Sequence, residues 1–251
     1  MSDTLFSSWY IELAAAYVRG AAIRAAQNGG KIDLGATEGG TIEISLPDML
    51  VNEHLELLEE DQFEEILRRG KEAGLKLYRF KNSHDTLPRV RSVLGFLQGV
   101  EIKSLLDVGS GRGVFLWPFL NLFPGVSVTS LDILPQRVQL CDLVRLGGLD
   151  RLEGMVGDIC QLDLPDKSFD AITLLEVLEH IPDVESAVRN AMRLARKYII
   201  VSVPSKPDDN PEHIHLFTQA QLAELFRKAG ACSTHFGGVT NHMLLFVSLR
   251  D

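Results

Sequence analysis

Three strand-like segments of this 251-residue chain carry an acid near their ends, and glycines follow the first of them. Ser104-Leu-Leu-Asp-Val-Gly-Ser-Gly-Arg-Gly113 reads as a buried strand carrying Asp107 near its end. Gly109, Gly111 and Gly113 then let the backbone turn sharply and approach a ligand, since glycine has no Cβ. The spacing differs from the Gly-x-Gly-x-x-Gly dinucleotide fingerprint, and no Gly-Lys-Ser/Thr follows to make a P-loop. Val126 to Ile133 forms the second segment and contains Asp132. A carboxylate about 20 residues beyond such glycines is placed to accept hydrogen bonds from ribose hydroxyls. The third segment, Leu152 to Ile159, closes on Gly157-Asp-Ile159. There Asp158 suits an adenine amino group, while Ile133 and Ile159 are placed to flank the ring. A nucleotide-like cofactor at a strand-to-helix edge is the chemistry these residues predict.

A second group of residues suits proton transfer. Glu176-Val-Leu-Glu-His-Ile181 follows the strand Ala171 to Leu175, and His213 and His215 lie in the later segment Ser205 to Phe217. Glu179, His180, His213 and His215 are candidates for a general base beside an acceptor oxygen. The structural alternative is that Glu179 and His180 only cap a helical turn.

Strand and helix patterns must position both groups. Val114 to Leu120 is apolar enough to pack on a sheet, and Val184 to Ala195 repeats apolar residues at helical spacing. Lys197 to Val203 is an apolar, β-rich strand of the kind buried in a parallel sheet. Gln219 to Gly230 reads as an amphipathic helix, and Ala231 to Phe236 with His242 to Ser248 as a final hairpin. Before this region, Leu5 to Ala26 predicts an amphipathic helix stopped at Asn28-Gly-Gly30. Two short strands around Glu38-Gly-Gly40, an acidic helix from Asn52 to Gly70, and a helix from about Leu87 to Gln98 follow. The polar cluster Tyr78 to Asp85 is the extension's best candidate for touching a ligand.

Taken in order, Asp107-Val-Gly-Ser-Gly-Arg-Gly113, Asp132, Gly157-Asp-Ile159, the Leu164-Pro…Ser168-Phe-Asp170 approach and Glu176-Val-Leu-Glu-His-Ile181 resemble the class I S-adenosylmethionine-dependent methyltransferases. The wording is close to the subgroup that includes the ubiquinone- and menaquinone-biosynthesis enzymes. The resemblance covers about residues 90 to 251. It implies an α/β fold: a Rossmann-like, seven-stranded, mostly parallel sheet with a reversed last strand, here preceded by a mainly helical N-terminal extension. The domains expected are 1–90, a helical extension or lid, and 91–251, which binds S-adenosylmethionine. The family implies Asp107, Gly109, Ser110 and Gly111 around the methionine part, Asp132 at the ribose, and Asp158 and Ile159 at the adenine. Glu176 and Ile133 complete the expected cofactor site; His180, Glu179 and His213 are the expected catalytic residues.

The expected reaction is methyl transfer to a small-molecule acceptor, without a metal. Glu176-x-x-Glu179-His180 with a later histidine also resembles the metal site of Hen1-type RNA 2′-O-methyltransferases. Against that stand the short gap from His180 to His213 and the absence of an aromatic-rich RNA-end segment. An RNA or protein substrate would call for a basic cleft around Arg79, Lys81, Arg89, Arg91 and Lys206. A non-catalytic cofactor-binding module is the third reading, opposed by intact Asp107, Gly109, Gly111 and Asp132. The formal charge of −9 disfavours broad nucleic-acid binding. Three scattered cysteines without a Cys-x-x-Cys pair suit a reducing compartment, which predicts a cytoplasmic protein. The N-terminal run is broken by Glu12, Arg19 and Arg24, so neither a signal peptide nor a membrane span is expected.

Overall fold

The computed structural model describes residues 8–34, 40–80, 87–207 and 209–249. A seven-stranded sheet is built from β3 (Ser104–Val108), β4 (Ser127–Asp132), β5 (Leu152–Val156), β6 (Phe169–Leu175), β7 (Ala195–Pro204), β8 (Ser233–Val239) and β9 (His242–Ser248). Their order is β5-β4-β3-β6-β7-β9-β8. Strands β3 to β7 pair in parallel, and β9 runs antiparallel to both β7 and β8. The reversed last strand therefore lies one place in from the edge. Chain direction across the sheet reverses at β3 and β6, so their carboxyl ends open the crevice where open α/β sheets take ligands.

The strands are apolar runs because both of their faces are covered. Leu105, Ala171, Ile200 and Leu244 point to one face, against α4 (Pro88–Gln98), α5 (Leu116–Leu122) and α6 (Pro135–Leu146). Leu106, Ile172, Ile199 and Leu245 point to the other, against α7 (Val184–Leu194) and α8 (Gln219–Lys228). Asp183 caps α7 and Thr218 caps α8, each accepting a hydrogen bond from a first-turn backbone N–H.

The extension departs from its expected character. Helix α1 (Ser8–Gln27) is buried on nearly every side, not amphipathic, because it is clamped between α6 and α3 (Glu60–Glu72). Its alanines permit this. A Cβ built on Gly20 would stand 1.8 Å from the Leu143 carbonyl oxygen, and one on Gly147 would stand 1.8 Å from that of Ala16. The two helices thus touch backbone to backbone at two glycines. Gly20→Ala is expected to cost about 1–3 kcal/mol, the scale of core overpacking, read as a lower denaturant midpoint with an unchanged slope. Arg19, only 4% exposed, donates from Nη2 to the Val51 carbonyl at 3.1 Å.

Strands β1 (Lys31–Asp33) and β2 (Thr41–Glu43) pair antiparallel as expected, but most of the intervening turn lies outside the described residues. The acidic helix starts later than predicted. Residues 48–52 form a short α2, and Glu59 and Gln62 make the capping box that sets the start of α3 at Glu60. Leu58, extended and buried, interrupts the helix because its side chain is drawn into the core. The expected domain boundary near residue 90 falls inside α4.

Candidate active site

Three carboxylates end three adjacent strands. Asp107 lies one residue from the end of β3, Asp132 closes β4, and Asp158 follows β5 by two residues. The glycine turn rises from β3 between them. The Gly109 N–H donates to the Leu131 carbonyl at 2.7 Å, tying the turn to β4. Gly109 has φ +65° and Gly113 has φ +78°, conformations that disfavour a side chain. At Gly113 the restriction is also steric: a Cβ would sit 2.0 Å from Trp117 Nε1, which donates to the Arg112 carbonyl at 3.0 Å. At Gly111, by contrast, a Cβ would meet, among the described residues, only the Gly109 carbonyl at 3.7 Å, leaving the turn open to them there.

Asp107 is 2% exposed and receives two hydroxyl donors, Ser110 Oγ at 2.6 Å and Thr173 Oγ1 at 2.7 Å. Ser130 donates in turn to Ser110 at 2.8 Å. Burial outweighs these bonds and pushes the Asp107 carboxyl up to about 6, with the Asp132 charge adding to the rise. Asp132, 4% exposed, accepts the Leu134 N–H at 3.0 Å and pairs with Arg137 at 3.3 Å. Asp158 is exposed and accepts the Cys160 N–H at 2.8 Å.

The two isoleucines expected at the adenine differ. Ile133 is 67% exposed at the edge, whereas Ile159 is buried in the core beneath α7. Val156, the residue paired with Asp132 in register, is 55% exposed and offers a second apolar surface there. Sequence reasoning missed Val156 and Arg137. Both follow from the β4–β5 register and from one helical turn after Asp132.

On the other side of the turn, Glu176 follows β6 with φ +58°. Its Oε1 accepts from Ser202 Oγ at 2.6 Å, and its Oε2 lies 3.2 Å from His242 Nε2. Glu179, His180 and His213 come together, each offering one polar atom within 4.8 Å of the others. Glu179 is wholly buried, and the rings of His180 and His213 meet edge to face at 4.7 Å. His180 Nδ1 lies 3.0 Å from the Glu212 carbonyl and His215 Nε2 3.0 Å from that of Ile181. The Ile214 and His215 N–H groups both donate to the Glu179 carbonyl. These contacts stitch the loop after β7 to the turn after β6.

The extension reaches this edge through Phe80, whose ring lies 5.4 Å from that of Trp117 and 5.5 Å from that of Tyr17. Arg79 is close enough to Arg112 and Arg137 for their charges, after the larger effect of burial, to lower its proton affinity. The rest of the expected polar cluster, from Lys81 to Asp85, lies outside the described residues.

The fold is a Rossmann-like α/β sheet that carries a carboxylate-ringed glycine turn at its carboxyl edge. Residues 106–200 match the family described as "Methyltransferase domain". A ubiquinone biosynthesis O-methyltransferase of Alkalilimnicola ehrlichii is 36% identical over 46% of this chain and 47% of its own length. One of Chromobacterium violaceum is 28% identical over 68% of this chain and 83% of its own. The first of these matches thus spans about half of the relative. A SAM-dependent methyltransferase from Archaeoglobus fulgidus superposes with a TM-score of 0.53 at 14% identity, covering 64% of this chain and 91% of that one. Over this segment the chain is similar to S-adenosylmethionine-dependent methyltransferases.

S-adenosylmethionine-dependent enzymes are among the proteins this segment resembles, and the residues present suit that cofactor. The turn is open at Gly111, buried carboxylates flank it, and apolar Ile133 and Val156 lie exposed beside Asp132. Among the described residues, no helix is long and apolar enough to cross a membrane.

Proposed function

We propose that the protein transfers a methyl group from S-adenosylmethionine to an oxygen of a small-molecule acceptor, in the cytoplasm. The observation that carries this reading is the ring of Asp107, Asp132 and Asp158 around a glycine turn open at Gly111. The printed names of the relatives, O-methyltransferases of ubiquinone biosynthesis, support an oxygen on a quinone-like or phenolic ring. The overall charge of −9 and the match to small-molecule enzymes weigh against an RNA substrate.

When bound, the cofactor supplies a methyl group activated by its sulfonium. The chain's residues do the rest. Asp132 accepts from the ribose hydroxyls, Asp158 from the adenine, and Ile133 and Ile159 form part of the adenine's surroundings. Asp107, Gly109, Ser110, Gly111 and Glu176 surround the methionine part. Ser110 acts there chiefly by holding Asp107, to which its hydroxyl is committed. The acceptor then occupies the β6–β7 half of the crevice, next to the loop carrying His213. His180 or His213 takes the acceptor proton, with Glu179 buried behind them, while in-line positioning and exclusion of water supply much of the acceleration. Residues 1–90 form the extension, and its segment at Leu77 to Phe80 borders the site.

Incubation with methyl-labelled S-adenosylmethionine tests this against catechols and hydroquinones, bulk RNA and protein. Label is expected in the small phenols; label in RNA or protein alone would overturn the reading. His180→Ala is expected to lower turnover on the order of 10²-fold while leaving cofactor affinity unchanged. Equal losses in both would show that His180 serves only as a loop tether.

A further inference from the structure

Glu176 sits at the carboxyl end of β6 with φ +58°, a left-handed conformation that a residue with a side chain adopts only when its surroundings enforce it. Three contacts enforce it here. Its N–H donates to the Ser202 carbonyl at 2.9 Å, Ser202 Oγ donates to Oε1 at 2.6 Å, and His242 Nε2 stands 3.2 Å from Oε2. They come from β7 and from the first residue of β9, which the reversed strand brings opposite Pro204. His242 is itself fixed, since its Nδ1 lies 3.0 Å from the Thr240 carbonyl. Nε2 and Oε2 thus face one another at 3.2 Å as a polar contact between imidazole and carboxylate.

Glu176 is also joined to the glycine turn through its neighbour. Val177, the next residue, packs so closely on Gly109 that an added Cβ would lie 2.8 Å from its methyl. A line of contact runs from His242 through Glu176 and Val177 to Gly109. We propose that His242 is a positioning residue of the cofactor site, holding Glu176 in its left-handed conformation and thereby the glycine turn in its binding shape. This rests on the reading of Glu176 and Gly109 as part of the S-adenosylmethionine site.

The test is a titration of S-adenosylmethionine, and separately of adenosine, into the wild type, His242→Phe, His242→Gln, Glu176→Gly and the double variant Glu176→Gly/His242→Phe. Phenylalanine removes the polar contact, and glutamine keeps one. His242→Phe is expected to weaken S-adenosylmethionine about tenfold, the scale of losing one polar contact to a carboxylate. Adenosine, held from the β4–β5 side, should bind as before. His242→Gln should recover most of the affinity, and His242→Phe should add no further loss in the Glu176→Gly background, because the effect passes through Glu176. Unchanged or tighter binding in His242→Phe, equal loss for adenosine, or additive losses in the double variant would overturn the proposal. A wild type that binds neither ligand would instead overturn the cofactor reading on which it rests.

Discussion

Asp107→Asn is expected to stabilise the protein at neutral pH and to lose its hold on S-adenosylmethionine. The carboxyl is buried, with two hydroxyls for donors and no cation paired to it in the contacts described above. Its proton affinity in the folded state is raised from 3.8 to about 6. The sign follows from linkage. Below 3.8 both folded and unfolded chains hold the proton, and stability is highest. Between 3.8 and about 6 the unfolded chain releases it first, so stability falls as pH rises and is flat above. The ionised group therefore costs about 2–3 kcal/mol at pH 7, at about 1.4 kcal/mol per unit. Asparagine removes the charge and still meets Ser110 and Thr173. Chemical denaturation should show the variant more stable at pH 7.5 and close to wild type near pH 4. A positively charged cofactor favours the ionised carboxyl, so wild-type affinity should weaken as pH falls through about 6. A variant destabilised at pH 7.5, or one that binds normally, would contradict this role.

Asp132→Ala is expected to weaken S-adenosylmethionine binding by about 1.5–3 kcal/mol, the scale of hydrogen bonds to a charged group. In the ligand-free chain the carboxylate is engaged by the Leu134 N–H and the Arg137 guanidinium. On the reading that Asp132 holds the ribose, the hydroxyls meet a carboxylate whose Oδ2 already faces Arg137, an exposed side chain with room to move aside. Arg137→Gln is accordingly expected to leave affinity unchanged or improve it. Calorimetric comparison of the two variants separates loss of the carboxylate from loss of its neighbour. An unchanged affinity in folded Asp132→Ala would remove Asp132 from the site.

Much of this was legible in the sequence because a parallel strand covered on both faces is a plain apolar run. Leu105-Leu106 with Val108, and Ile199 to Val203, announce themselves in that way. The glycine turn was legible for a different reason: its conformations tolerate few other residues. What stayed hidden depends on register and on contacts between distant segments. Periodicity gave α1 one apolar face but could not reveal that Gly20 and Gly147 would press a second face against α6. Arg19, which breaks the apolar run in sequence, is buried against the Val51 carbonyl. The start of α3 was hidden because Leu55, Leu57 and Leu58 look helical in spacing, whereas Leu58 is extended into the core. Val156 faces the crevice because β5 ends level with Asp132, and His242 meets Glu176 because β9 is reversed beside β7. No local pattern encodes either pairing.

The ring of carboxylates around the glycine turn is proposed as the S-adenosylmethionine site. Calorimetric titration of S-adenosylmethionine into the unmodified protein, near pH 7.5 and without added metal, tests it most directly. Saturable binding at one site per chain is the predicted result. Absence of binding, or binding that appears only on addition of a divalent cation, would contradict the account.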